Sequence, residues 1–146
     1  MVYNTLLTTT LFFLLIGSGC RSTQALPPEY KGEQLHFGQG GGFSGIVTYY
    51  ALMDDGRLFQ KDPKDSSYTL ITKWTDDFVR QMFNNYHLLH LDQVDHYEPG
   101  DLYYFIEYHS KENEVHRIGW GKPGFIPDDN VVLFYSLLYK SSKPKS

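Results

Sequence analysis

Histidine is the residue type with the clearest potential for metal chemistry in this sequence. The chain contains six histidines. His87 and His90 lie three residues apart, with Asp92 and His96 close behind them. Two imidazoles at this spacing on a helix can bind one metal ion. His90, however, stands inside a leucine-rich run, and the sequence has no HExxH pattern. We therefore predict packed or surface histidines here, with no metal and no cofactor.

The sequence supports nucleophilic catalysis no better than it supports a metal site. Ser44 stands in Gly42-Phe43-Ser44-Gly45, which is one residue short of the GxSxG elbow. His109 and His116 are predicted on neighbouring strands, where cross-strand pairing accounts for them. Turns and helix caps explain the paired carboxylates, which are Asp54-Asp55, Asp76-Asp77 and Asp128-Asp129. We predict that the protein is not an enzyme, and a metal-dependent hydrolase is the weaker alternative.

The only cysteine, Cys20, has a different chemistry open to it. It follows an uncharged apolar run over residues 6–16, which is shorter than the roughly 20 residues of a membrane-spanning helix and typical of a signal peptide. The following residues, Ile16-Gly17-Ser18-Gly19-Cys20, resemble the lipobox of bacterial lipoproteins, in which the thiol receives a diacylglycerol before cleavage. The resemblance implies that residues 1–19 are a signal peptide and that Cys20 is the lipid attachment site. A plain secretory signal with an incidental cysteine is the alternative.

A lipid anchor at Cys20 would also indicate where in the cell the protein is located. The lipoprotein resemblance implies several acyl chains, and two or more chains hold a protein stably on a membrane. Arg21 follows Cys20 at the position where signals for retention in the inner membrane often carry Asp. We therefore expect a cell-envelope protein anchored by lipid in the outer membrane, facing the periplasm or the cell surface.

Composition indicates one small domain that does not bind nucleic acid. The formal net charge is −4, and a mildly acidic domain is a poor partner for a polyanion. No second cysteine exists for an internal disulfide, so packing must stabilise the fold; 12 Tyr, 10 Phe and 2 Trp supply much of it. We divide the chain into a signal peptide (1–19), a lipidated N-terminus and linker (20–34), a single domain (35–139) and a basic tail (140–146).

The order of elements predicts an α+β fold. Residues 46–53 and 58–61 flank an Asp-Gly turn and predict a hairpin. Further strands are expected over residues 68–72, 102–109 and 115–120, and a short one over 35–37. Thr75 is the predicted N-cap of a helix that ends near Tyr86, and Asp128 is the predicted N-cap of a final helix. The sum is an antiparallel sheet of about four to five strands with two helices on one face.

A glycine-rich segment carries a second resemblance. Gly41-Gly42-Phe43-Ser44-Gly45-Ile46, at the start of a predicted strand, is similar to the Ser-Gly-Gly-Phe-Ala-Gly segment of emfourin-type proteins, which inhibit thermolysin-like metallopeptidases. The order of elements over roughly residues 37–139 is also similar. The resemblance implies an inhibitor of such peptidases. The chain also looks like uncharacterised envelope lipoproteins with the same order of hairpins and helices.

The sequence as a whole predicts a lipid-anchored domain that binds a protein or peptide without catalysis. The predicted binding surface is Gly41, Gly42, Phe43, Ser44 and Gly45, with the loops at 95–101 and 121–127 beside it. Glycines allow another backbone to approach closely. Metallopeptidase inhibition is the first alternative function, and a purely structural role in an envelope complex also stays open.

Overall fold

The structure is a computed structural model that describes residues 25–143, and a six-stranded antiparallel sheet lies at its centre. The strands are β1 (Gln34–Gly41), β2 (Thr48–Met53), β3 (Arg57–Lys61), β4 (Tyr68–Lys73), β5 (Leu102–His109) and β6 (Val115–Trp120). Their order across the sheet is β4-β3-β2-β1-β5-β6. The helices are α1 (Asp76–Leu88) and α2 (Asp129–Ser141), and short 3-10 turns cover Pro27–Glu29 and Leu91–Gln93.

The predicted α+β class is confirmed, but the predicted count of four to five strands is wrong. The difference lies in β1, which continues through the glycines expected to form a bend and is a central strand of the sheet. A Cβ atom on Gly38 would overlap the Thr48 carbonyl oxygen of β2, and one on Gly40 would overlap the Tyr103 ring of β5. Glycine is therefore needed at both positions, because β2 and β5 approach β1 so closely that they leave no room for a side chain.

Both helices pack on the same face of the sheet, as predicted. Alternate residues of the central strands point to this face, since side chains alternate along a strand. Leu35 and Phe37 of β1 and Ile106 of β5 are fully buried there. The helices contribute two apolar stripes, namely Val79, Met82, Phe83 and Tyr86 of α1, and Val131, Phe134, Tyr135 and Leu138 of α2.

The two helix starts differ in their capping. The Asp128 carboxylate accepts a hydrogen bond from the Asn130 N–H at 2.8 Å, so the predicted cap of α2 is confirmed. Thr75 occupies the N-cap position of α1, but its side chain makes no capping hydrogen bond. Helix α1 ends at Leu88, two residues beyond the predicted end at Tyr86. Among residues 25–143, no helix has both the length and the apolar composition to cross a membrane.

Within residues 25–143, neither α1 nor α2 packs on the other face of the sheet, which we call the helix-free face. The N-terminal segment packs against part of it instead. The Ala25 carbonyl accepts a hydrogen bond from the Arg57 guanidinium at 2.9 Å. The Tyr30 hydroxyl donates to the Asp54 carboxylate, and Pro27 is buried. The segment predicted as a linker over 20–34 therefore packs against the sheet from Ala25 onward. The predicted lipid site, Cys20, lies outside the described residues.

Candidate functional site

Three loops meet at the end of the sheet where β1 finishes. The Gly42 N–H donates to the Asp101 carbonyl at 2.6 Å. The Glu98 N–H donates to the Gly119 carbonyl at 2.9 Å, and the Lys122 N–H donates to the Glu98 carbonyl at 3.0 Å. The structure thus brings together the three segments singled out from the sequence. We call residues 41–45, 95–101 and 121–127 the loop surface.

The glycine segment forms a tight turn whose shape requires glycine. The Gly45 N–H donates back to the Gly42 carbonyl at 3.2 Å. Gly41, Gly42 and Gly45 have φ angles of 86°, 71° and 61°, a region that residues with a Cβ atom rarely adopt. The Ser44 hydroxyl accepts a hydrogen bond from the Ile46 N–H at 3.3 Å, which closes the turn further. The turn therefore presents Phe43 on a defined backbone.

Phe43 is the most exposed large apolar side chain of the described residues. Ile126 in the loop at 121–127 is 86% exposed, and Tyr97 and Leu102 are about half exposed. An ion pair with 2.8 Å between Lys122 Nζ and Glu98 Oε2 adds charge beside these apolar groups. Apolar groups that cluster in adjoining loops with charged neighbours are typical of protein-interaction sites.

The histidines considered from the sequence do not converge on one point. The His87 imidazole lies 3.7 Å from the Asp92 carboxylate, and both groups are half exposed. His90 adopts a left-handed conformation after α1, and its ring contacts the Gln93 amide. His96 faces the Gly119 carbonyl and the Phe125 ring instead. The spacing in sequence therefore does not place these groups around a common centre.

A different group of polar side chains converges on the helix-free face, and the sequence analysis missed it. His36 in β1 lies opposite Glu107 in β5, and Gln34 lies opposite His109. His36 and Glu107 are only 5% and 8% exposed. The ligand atoms of His36, Glu107 and His109 all lie within 4.8 Å of one another. We call the group made by Gln34, His36, Tyr49, Glu107, His109 and Arg117 the histidine cluster.

Hydrogen bonds hold the histidine cluster in place. His36 Nδ1 lies 2.5 Å from the Tyr49 hydroxyl, and its Nε2 lies 2.8 Å from the Gln34 amide oxygen. The His36 and His109 rings lie face to face at a tilt of 31°, with 4.0 Å between their centroids. Glu107 Oε1 forms an ion pair with Arg117 Nε at 2.8 Å, and Glu107 Oε2 lies 3.3 Å from His109 Nε2. Each buried polar group of the cluster thus has a partner.

The cluster shifts the proton affinities of its members. Burial, followed by the positive charge of His109, lowers the pKa of His36 from 6.5 to about 3, against the opposing effect of Glu107. Burial alone would raise the pKa of Glu107, but the hydrogen bond from His109 and the charge of Arg117 outweigh it and lower the pKa. Near neutral pH the cluster therefore holds a neutral imidazole at His36 and an ionised carboxylate at Glu107.

Acid is expected to destabilise the protein through His36. The unfolded chain binds a proton at this imidazole below its ordinary pKa of 6.5, whereas the folded protein binds it only near pH 3. Stability is therefore lost as the pH falls through that range. From pH 7 to pH 5 we expect a loss of about 2 kcal/mol in the free energy of unfolding from this group. Urea denaturation at both pH values measures it.

The His36→Gln variant is the matched control for this acid effect, because an amide keeps a polar group in place but does not titrate here. The difference in free energy of unfolding between pH 7 and pH 5 should shrink by the same amount in the variant. His109, Glu107 and Lys61, which lie near the imidazole, stay unchanged in both proteins. An unaltered pH dependence in His36→Gln would contradict the assignment to His36.

The register explains why sequence reasoning missed the cluster. His109 and His116 do lie on neighbouring strands, but His109 pairs with Val115 and His116 pairs with Tyr108. The two histidines therefore point to opposite faces, and His116 bonds the Tyr86 hydroxyl and the Val94 carbonyl. The available signal was the alternation of polar and apolar residues in both β1 and β5. That signal finds the cluster only when the two strands are known to be neighbours.

Residues 41–46, for which the sequence indicates a resemblance to emfourin-type inhibitors, lie at the end of β1 and in the exposed turn that follows it. Gly41 ends β1, residues 42–45 form the exposed turn, and Ile46 is more than half exposed just beyond it. The sequence matches no protein-family model and no curated protein.

Proposed function

We propose that this protein is a lipid-anchored protein of the cell envelope, held in the outer membrane, whose domain binds a protein or peptide through the loop surface. The observation that carries the proposal is the full exposure of Phe43 on a turn fixed by its neighbours. The proposed role is binding and not catalysis.

The exposure of Phe43 favours a partner on energetic grounds. Burying such a side chain is worth roughly 1.5–3 kcal/mol, and aromatic side chains are enriched among the residues that dominate binding energies. The hydrogen bond from Gly42 to Asp101 holds the turn before any partner arrives. A fixed turn loses little conformational entropy on binding, so more of the burial energy contributes to affinity.

Ala25, the first described residue after the proposed anchor, and the loop surface lie at opposite ends of the sheet. Ala25 is bonded to Arg57, beside the β2–β3 turn, and this is the end at which β1 starts. Ala25 is the fifth residue after Cys20, so the described domain would begin within roughly 17 Å of the proposed lipid site. Strand β1, which has eight residues, then carries the chain roughly 24 Å to the loop surface. The loop surface would thus meet a partner away from the membrane to which the protein is attached.

Affinity capture from envelope extracts tests the binding proposal. The full-length protein in detergent is compared with Phe43→Ala and with Leu133→Ala, which alters a half-exposed apolar residue on α2. We expect Phe43→Ala to weaken capture of a specific partner about tenfold or more, as for an aromatic hot spot. Leu133→Ala should leave capture unchanged. Equal capture by all three proteins would contradict a role for the loop surface.

Metallopeptidase inhibition is the second candidate function and rests on the resemblance of residues 41–46 to emfourin-type inhibitors. The exposed turn is the part of the domain that would enter an enzyme cleft. Adding the protein in micromolar amounts to a thermolysin-like enzyme and following substrate cleavage tests this candidate. Unchanged cleavage rates would remove inhibition while leaving the broader binding proposal to the capture experiment.

A further inference from the structure

The histidine cluster has the ligand types and the spacing of a metal site. His36 and His109 offer imidazole nitrogens, and Glu107 offers a carboxylate oxygen. A tetrahedral zinc ion with bonds of about 2.0–2.1 Å places its ligand atoms about 3.3 Å apart. His109 Nε2 and Glu107 Oε2 already lie 3.3 Å apart. His36 is within 4.8 Å of both, so modest side-chain rotation would complete the set.

The backbone fixes the positions from which these ligands extend. His36 and Glu107 are cross-strand partners in β1 and β5, and His109 follows two residues later on the same face. Ligands on central strands of a sheet are held more firmly than ligands on loops. The three side chains come from the two most tightly connected strands of the fold, because β1 and β5 pair over all eight residues of each.

Neighbouring groups are placed to orient the ligands. Arg117 binds Oε1 of Glu107 at 2.8 Å and leaves Oε2 on the side of the histidines. The Tyr49 hydroxyl holds His36 Nδ1, so Nε2 is the nitrogen available for coordination. The Gln34 amide oxygen now lies 2.8 Å from that Nε2. Coordination at Nε2 requires this amide to turn aside or to supply its oxygen as a further ligand.

A cavity opens directly onto the cluster. It has a volume of about 320 Å³ and is lined by Gln34, His36, Tyr49 and His109 on the sheet. Pro27, Tyr30 and Tyr68 are among the residues that form its walls. Two of the three candidate ligands, His36 and His109, therefore border an open space. Zinc sites that keep one coordination position for water or a small ligand also have an open side. A closed structural site would instead be surrounded by protein.

We propose that His36, Glu107 and His109 bind one divalent transition-metal ion of the zinc type, with an open coordination position facing this cavity. The site is separate from the loop surface and does not depend on the proposed function. The buried His36 imidazole is uncharged near neutral pH. Nε2 becomes a metal ligand when the ring proton moves to Nδ1, which then donates to the Tyr49 oxygen. The carboxylate supplies the negative charge that partly balances the ion.

Metal titration of the full-length protein in detergent tests the proposal. The protein is stripped with a chelator, checked for folding by circular dichroism, and titrated calorimetrically with zinc. Cobalt(II) serves as a spectroscopic probe, because its visible absorption reports coordination by protein ligands. We expect one equivalent of zinc to bind and an excess to raise Tm by about 5–10 °C.

Variants identify the ligands. His109→Ala and Glu107→Gln each remove one ligand and are expected to weaken zinc binding by about tenfold or more, so the zinc-dependent rise in Tm should be clearly smaller. The matched control combines His87→Ala with His90→Ala, two histidines outside the cluster, and should bind zinc like the unmodified protein. Absence of stoichiometric zinc binding by the folded protein would overturn the proposal. Zinc binding of unchanged affinity in His109→Ala, or loss of zinc binding in the control, would also overturn it.

Discussion

Replacing Gly38 with alanine is expected to lower the free energy of unfolding by about 3 kcal/mol, the upper part of the range for overpacked interiors. Gly38 lies in the centre of β1, between Tyr49 of β2 and Phe105 of β5. A Cβ atom there would overlap the Thr48 carbonyl oxygen, which is backbone and has no rotamer by which to move away. Strands β1 and β2 would have to separate at the middle of the sheet. Urea denaturation of both proteins measures the difference.

Gly42→Ala is the matched control for the packing argument. No atom lies within 4 Å of the position that its Cβ would occupy, but φ at Gly42 is 71°. The expected loss is therefore only the conformational cost of about 1–2 kcal/mol for an L-residue in the left-handed region. A loss in Gly38→Ala no larger than that in Gly42→Ala would show that close strand packing is not the reason for glycine in β1.

Replacing Cys20 with serine is expected to move nearly all of the protein from the membrane fraction to the soluble fraction. A serine hydroxyl cannot take the thioether-linked diacylglycerol, and each buried methylene of a lipid chain is worth about 0.8 kcal/mol of membrane affinity. The described residues contain no helix that could take over as a membrane span. Cell fractionation, together with labelling by a radioactive fatty acid, measures both consequences.

Arg21→Asp is the control for the anchor, because it alters the neighbouring residue and keeps the thiol. This variant should remain lipid-labelled and membrane-bound, and the lipoprotein resemblance predicts that it moves from the outer to the inner membrane. Retention of Cys20→Ser in the membrane fraction would contradict lipid anchoring at this position. Lipid labelling of Cys20→Ser would contradict the assignment of the modified residue.

The elements that were predicted well have strong local signals. The Asp54–Gly56 turn, the apolar stripe of α2 and the Asp128 cap each depend on residues within a few positions of one another. The extent of β1 could not be predicted in this way, since glycine-rich segments favour turns when considered alone. Only the close approach of β2 and β5 shows why Gly38 and Gly40 belong in a strand.

The two candidate sites differ in the same way: one has local sequence signals, and the other depends on which strands pair. The loop surface was predicted as a set of three segments, because each segment has its own turn residues and follows or precedes a predicted strand. The histidine cluster depends on the pairing of β1 with β5, two strands separated by 60 residues. His87 and His90 lie near each other in the chain and were considered as a metal pair, but the sequence favoured packed or surface histidines there. In the structure the two residues face different partners.

The N-terminal segment connects the proposed anchor with the histidine cluster. Pro27 and Tyr30 form part of the wall of the cavity at the cluster, and Tyr30 is tied to the β2–β3 turn through Asp54. The N-terminal segment therefore contributes to the cavity, at the end of the sheet that would lie nearer the membrane if Cys20 is lipidated as proposed. The loop surface at the other end remains open to a partner.

Site-specific photocrosslinking in intact cells tests the central claim of a binding loop most directly. A benzoyl-phenylalanine at position 43 keeps an aromatic side chain on the turn, and the same residue at position 133 places the probe on the exposed side of α2. We predict a discrete crosslinked species from position 43 that is missing from position 133. Absence of any species from position 43, or the same species from both positions, would contradict the claim.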